Sequence, residues 1–248
     1  MLTPKIIFEN ENVVVLNKPA GLLVHSHIGS IDKTLVDWLI KKYPTIKKVG
    51  EPRGEELRSG IVHRLDKDTS GVMIVAKNQP TYAFLKKQFA SGDSARGYER
   101  RPGKAYRALV YGNVKEDQGI INRPIGRSRN DPRRRVAGPK ASSNLREALT
   151  YYKVLERFDL GDERYSYVEA YPKTGRTHQV RVHLTSIGKP VLCDALYAPG
   201  KVCPLGLTRH ALHAYSLEIE LPQLGYKKFE APVPDDMARA LEQLRSLC

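Results

Sequence analysis

The stretch 61–78, IVHRLDKDTSGVMIVAKN, sets five charged or titratable side chains, His63, Arg64, Asp66, Lys67 and Asp68, between short apolar runs. Residues 72–76, VMIVA, have the length and β-branched content of a buried strand. Residues 66–69, DKDT, also match the D-x-D-T of a magnesium-dependent phosphotransferase, with Asp66 as covalent nucleophile. That motif crowns a continuous apolar strand of an α/β sheet, whereas here His63 and Arg64 interrupt the strand. A carboxylate so placed is either a tolerated ion pair in a loop or the working group of a site. Arg64 and Lys67 nearby would keep a partly buried Asp66 ionised in both cases.

Strand and helix periods alternate on either side. KIIFENENVVVLNKPAGLLVH (5–25) reads as strand, polar turn, Val-rich strand and a Pro-Ala-Gly break. TLVDWLIKKY (34–43) carries Leu35, Trp38 and Leu39 at helical spacing, with Asp32 or Thr34 as N-cap. TYAFLKKQFASG (81–92) predicts a helix with Pro80 near its first turn and Gly92 at its end. KAYRALVYG (104–112) alternates, placing Tyr106, Ala108 and Val110 on one face, and 148–158 and 164–172 are strands rich in Tyr and Val.

RTHQVRVHLTSIGKP (176–190) fits two periods, since Val180, Val182 and Leu184 alternate while Val180, Leu184 and Ile187 follow a helical stripe. Gly188 followed by Pro190 is a stop signal and favours the helix. The final helix, 234–247, buries Met237, Ala240, Leu241 and Leu244 behind an acidic first turn. Strands outnumber helices without strict alternation. The expected fold is therefore α+β, a mixed, mainly antiparallel central sheet flanked by helices and loops. No repeat or low-complexity linker divides residues 1–248, so one domain is expected.

The chain has 248 residues, 41% apolar and 27% charged, a composition that folds rather than stays disordered. No apolar run reaches the ~18 residues of a membrane span, and polar breaks in the N-terminus do not fit a signal peptide, which implies a cytoplasmic protein. The three cysteines, Cys193, Cys203 and Cys248, are odd in number and widely spaced, and are expected as inert thiols.

The net charge is +14, which points to a polyanionic partner. Residues 96–140 hold thirteen Lys or Arg (among them Arg96, Arg100, Arg101, Arg127, Arg133, Arg134, Arg135 and Lys140) against four acids. Within it RPIGRSRNDPRRRVAGPK (123–140) is an arginine-rich hairpin or loop broken by Gly and Pro, suited to following a phosphate backbone. RNA is the expected partner; the alternative is a solvated charge run. The histidine pairs His25/His27, His178/His183 and His210/His213 lack the i, i+4 spacing of a helical zinc site, and no metal is expected. There is no G-x-S-x-G either.

HRLDKDTSG (63–71) resembles the signature of the RluA family of RNA pseudouridine synthases. NKPAGLLVH (17–25), KAYRALVYG (104–112), EALTYYKVLERF (147–158), KTGRTHQVRVHLTSIGKP (173–190) and RHALHA (209–214) with FEAPVPDDM (229–237) resemble its further motifs, in the family's order. Departures are Cys193 where the family has glycine, Ser128 where histidine is common after PIGR, and LPQLG (221–225) in place of a His-Pro turn. They bear on target recognition rather than chemistry.

The resemblance implies an enzyme that isomerises uridine in rRNA or tRNA without cofactor, acting as a monomer. It assigns Asp66 as the catalytic carboxylate, Tyr106 as the platform stacking on the base, and Arg181 as the cation paired with Asp66. Arg64 would hold open the space left by the flipped nucleotide, while His63, Lys18 and His25 line the cleft. Arg127, Arg133, Arg134 and Arg135 would supply phosphate contacts. The family's small N-terminal S4 module is not expected, because only five residues precede Ile6. A binding-only RNA protein of the same fold and the phosphotransferase remain as alternatives.

Overall fold

In the computed structural model, which describes residues 2–26, 33–53, 56–90, 102–138, 141 and 145–247, Val- and Tyr-rich runs form strands and spaced apolar residues form helices. Asp32, His27, Gly92, Arg96, Arg100, Arg101, Lys140 and Cys248, named above, lie outside the described residues. The chain begins with β1 (Lys5–Glu9), β2 (Val13–Lys18), α1 (Leu35–Lys42), β3 (Pro52–Arg53), β4 (Glu56–Leu57), β5 (Ser70–Ala76) and α2 (Gln79–Phe89). It continues with β6 (Gly103–Tyr111), β7 (Gln118–Asn122), β8 (Ile125–Arg127), β9 (Arg135–Ala137), β10 (Leu149–Leu160) and β11 (Glu163–Pro172). Then follow α3 (Gln179–Ser186), β12 (Leu212–Leu221), β13 (Gly225–Glu230) and α4 (Asp235–Leu247). The fold is α+β with antiparallel pairing, as the strand-dominated pattern implies. No helix among the described residues is long and apolar enough to cross a membrane.

These elements group into two compact units, Met1–Gly103 with Ala214–Pro232, and Lys104–His213 with Val233–Cys248. In the first, β2 lies between β1 and β5, antiparallel to both, and β13 pairs with β12. Every residue of β5 is buried, which is why its sequence is a continuous apolar run rather than an alternating one. Gly71 opens that strand at φ +121, and a Cβ there would lie 2.1 Å from the Ala214 carbonyl oxygen, so only glycine admits β12 at this distance. α1 starts in a capping box: Thr34 accepts from the Asp37 amide while Asp37 accepts from the Thr34 amide.

In the second unit β6, β11, β10 and β7 form a continuous antiparallel ladder. Val180 and Leu184 of α3 and Met237, Ala240, Leu241 and Leu244 of α4 join Ala108, Leu109, Val110 and Val168 in its core. The ambiguous 176–190 run is the helix that its stop signal favoured: Gly188 takes φ +73, and the Gly188 and Lys189 amides return to Thr185 and Leu184.

Polar anchors as well as the apolar stripe hold α3. Gln179 donates to the Leu149 carbonyl and to Thr150 Oγ1, each at 3.0 Å, and accepts from Thr174 Oγ1 at 2.7 Å and the Arg176 amide at 2.9 Å. The fully buried His183 bonds Thr150 Oγ1 through Nδ1 and the Arg123 carbonyl through Nε2. A carbonyl can only accept, so Nε2 carries the proton, and the Thr150 hydroxyl is placed to donate to Nδ1 of a neutral ring.

The cysteine expectation is corrected. Cys193 and Cys203 form a disulfide across a Cα separation of 4.8 Å. Their spacing in sequence misled because the chain returns on itself: Cys193 sits at φ +58, the left-handed conformation that glycine adopts freely, and Tyr111 Oη bridges the Cys193 amide and the Val202 carbonyl.

Burial pushes the His183 imidazolium pKa below its ordinary value, outweighing the bond to the Arg123 carbonyl. As pH falls below about 6.5, the unfolded chain therefore binds this proton before the native one, and stability should fall by up to about 1.4 kcal/mol per pH unit. Urea denaturation should show His183→Gln less stable than wild type at pH 8, with the gap narrowing by pH 5. A constant gap would exclude a neutral buried His183.

Candidate active site

Asp66 stands half-buried on the loop between Ile61 and β5, directly after the buried Leu65, whose side chain anchors the loop in the core. The Asp66 carbonyl accepts from the Thr69 amide at 3.2 Å, closing a tight turn. The ammonium of Lys18, fully buried at the end of β2, donates to the carbonyls of Pro19, Leu22 and Lys67, each at 2.9 Å. The Gly21 amide donates to the same Lys67 carbonyl. Lys18 thereby ties NKPAG to DKD and fixes the backbone beside the carboxylate.

His63 has an equally local task. Its Nε2 accepts from the Ile74 amide at 3.0 Å, and its ring stacks on Phe89 with centroids 4.5 Å apart. The acceptor Nε2 means the other nitrogen holds the proton. His25 is buried near the start of the unit. Arg64 differs from its neighbours: it is exposed, and no carboxylate pairs with it among the described residues. DKDT precedes the apolar strand β5 rather than capping one, contrary to what the phosphotransferase motif requires.

In the second unit, Tyr106 on β6 is half-buried against the core cluster, opposite Ala170 of β11. Arg181 of α3 is almost wholly buried. Its Nε and Nη2 donate to the two oxygens of Asp194 at 2.7 and 2.8 Å, a bidentate pair. Asp194 Oδ1 also accepts from the Leu196 and Tyr197 amides. Burial works to raise the Asp194 carboxyl pKa, but the Arg181 bonds and charge, the His210 field and the Tyr197 amide outweigh it and hold it below the ordinary range. The guanidinium of Arg181 lies 5.0 Å from the Tyr197 ring centroid. Tyr197 Oη accepts from the Arg135 amide and shares a hydrogen bond with His178 Nδ1.

Asp194 and Tyr197 were not singled out from the sequence as site residues. The signal available was VLCDALY (191–197), an acid in an otherwise apolar run, at a reachable distance from an arginine that would need a partner if buried.

β8 and β9 form the arginine hairpin, with Arg127 directly opposite Arg135. Like charges facing across a ladder repel. Arg133 is exposed and is held by Asp131 through both Nε and Nη2. Arg135 Nη1 donates to the Pro132 and Arg134 carbonyls of its own turn.

Residues 12–186 match the family model described as RNA pseudouridylate synthase. The chain is 38% identical to the "Uncharacterized RNA pseudouridine synthase YlyB" of Bacillus subtilis, with 97% of the chain and 72% of that protein aligned. It is 40% identical to the "Ribosomal large subunit pseudouridine synthase D" of Nitrosomonas europaea, over 98% of the chain and 66% of the relative. Among solved structures, human RNA Pseudouridylate Synthase Domain Containing 1 superposes with a TM-score of 0.71 at 26% identity, over 99% of this chain and 96% of the other. The chain belongs to the RNA pseudouridylate synthase family and is an RNA-modifying isomerase.

Proposed function

We propose that the chain converts a uridine within structured RNA to pseudouridine with Asp66 as the catalytic carboxylate and without metal or cofactor. The observation that carries this reading is the placement of Asp66: a half-buried carboxylate on a loop whose backbone is fixed by the buried Lys18 ammonium. The reaction breaks the N1–C1′ bond, turns the uracil and joins C5 to C1′; the C5 proton leaves and N1 gains one. Asp66 serves either as nucleophile or as base on the ribose. Tyr106 stacks on the detached uracil while it turns, and Arg181, aligned by Asp194, supplies fixed positive charge for the anionic site. The exposed Arg64 fills the gap that the extruded nucleotide leaves, and His25 and His63 line or shape the cleft.

Extracting the base costs a few kcal/mol, least in loops and bulges. Phosphate contacts from Arg127, Arg133, Arg134 and Arg135 offset it. Large-subunit ribosomal RNA is the first substrate to test, since the relative from Nitrosomonas carries that RNA in its name. The enzyme would meet it in the cytoplasm as a monomer whose 248 residues act as one domain.

Asp66→Asn keeps the shape and removes the charge. Pseudouridine formation in unmodified ribosomal RNA should drop at least ~100-fold, with RNA affinity nearly intact, whereas Asp68→Asn and added chelator should change the rate little. An active Asp66→Asn would remove Asp66 from the chemistry, a wild type that binds RNA without forming pseudouridine would support the binding-only alternative, and magnesium dependence with an inactive Asp68→Asn the phosphotransferase.

Tyr106→Phe should retain RNA binding, while Tyr106→Ala loses a stacking contact of ~1–3 kcal/mol. Full turnover by Tyr106→Ala would remove the stacking role.

Asp194→Asn leaves the Arg181 charge buried and uncompensated, and should cost ~3–5 kcal/mol in denaturant unfolding at pH 7. Because the Asp194 pKa is depressed in the native state, its contribution is present above the unfolded carboxylate value of about 3.9 and lost as pH falls through the native one. The variant's deficit should therefore shrink in strong acid; a deficit independent of pH would contradict an ionised pair.

A further inference from the structure

An open groove of about 470 Å³ lies in the second unit, between the β8–β9 hairpin and α3, with Tyr197 along one wall. Val182 and Ala137 contribute apolar surface, and Arg123, Arg134 and Arg135 bring three guanidinium groups to it. No carboxylate forms an ion pair with any of the three among the described residues. Asp131, the one acid of the hairpin turn, is held by Arg133; it feels the Arg134 charge only through a weaker field.

Two details point to a missing anion. The Arg134 Nε is buried and has no hydrogen-bond partner among the described residues, a condition native proteins avoid unless something else binds there. Arg127 faces Arg135 across the hairpin, so two guanidinium groups share one rung, positive charge that a bound phosphate would offset. Arg123 is held in place from beneath: its Nη1 donates to the Ser186 carbonyl at the end of α3 at 2.6 Å, and its own carbonyl bonds His183. The groove is therefore built from fixed elements rather than from loose side chains.

Tyr197 fixes where along the RNA this groove acts. The Arg134 guanidinium lies 5.6 Å from the Tyr197 ring centroid and that of Arg181 lies 5.0 Å from it, so one ring carries both cations. A phosphate held by Arg134 is then within a few nucleotides of whatever Arg181 serves. We propose that this groove is a subsite for an RNA phosphodiester flanking the target uridine, gripped by Arg123 and Arg134; Arg133 lies outside its lining.

The inference rests on the RNA-modifying reading of the same unit but not on the role of Asp66. Its test is the salt dependence of binding to a labelled single-stranded RNA of about 20 nucleotides, where each lost contact flattens the log–log slope by ~0.7. Arg134→Gln, whose parent side chain makes no hydrogen bond among the described residues, should flatten it by about 0.7, and Arg123→Gln/Arg134→Gln by about 1.4. Arg134→Lys keeps the charge and should restore the slope.

Arg164→Gln is the control for diffuse charge, since Arg164 pairs with Asp159 at an exposed position and should leave the slope unchanged. For the double variant, KM for pseudouridine formation should rise while kcat at saturating RNA holds. A wild-type slope in a folded Arg134→Gln, or an equal loss in Arg164→Gln, overturns the subsite. Asp66→Asn should keep the wild-type slope in the same titration. If it instead stays fully active, the catalytic assignment fails and the result for the groove stands.

Discussion

The second unit depends on one buried ion pair. Burying a guanidinium is unfavourable unless a carboxylate meets it with good geometry, and even then the pair can be no more stable than an apolar substitute. Asp194 meets Arg181 with both oxygens and is itself held by two backbone amides, so neither charge can move without breaking several bonds. Such a pair adds little net stability but fixes direction. The guanidinium is set relative to α3, with the Tyr197 ring centroid 5.0 Å away and the hairpin attached to that tyrosine through the Arg135 amide.

The loop that delivers Asp194 is closed twice, by the Cys193–Cys203 disulfide and by Tyr111 Oη between the Cys193 amide and the Val202 carbonyl. The tyrosine bridge spans the same two segments without sulfur chemistry.

What the sequence made legible, and what it hid, follows from the range of the interactions. The helix at 179–186 could be read from Gly188 and Pro190 because a stop signal is local, and the burial of 72–76 from an unbroken apolar run. The pairing of Arg181 with Asp194 could not, since it requires the chain between them to turn back, and the same return closes the disulfide. The total positive charge was plain, but its distribution was not. Arg133 and Arg134 are equivalent in the sequence; an acid two residues before Arg133 holds it, and Arg134 lies on the groove with a buried nitrogen unanswered.

The same division runs through the two motifs that carried the resemblance. In TGRTHQVRVH (174–183), Thr174, Gln179 and His183 anchor the helix to β10 and to the Arg123 carbonyl, and Arg181 alone turns to Asp194. In HRLDKDTSG (63–71), His63 binds the Ile74 amide, Leu65 fills the core, the Lys67 carbonyl receives Lys18, and Gly71 admits the Ala214 backbone. Several positions of each signature are thus occupied by structural work on a few residues of backbone. A carboxylate that has to act at one atom needs that backbone fixed to a fraction of an ångström, and this is how the eight other residues of the signature can mark a single aspartate.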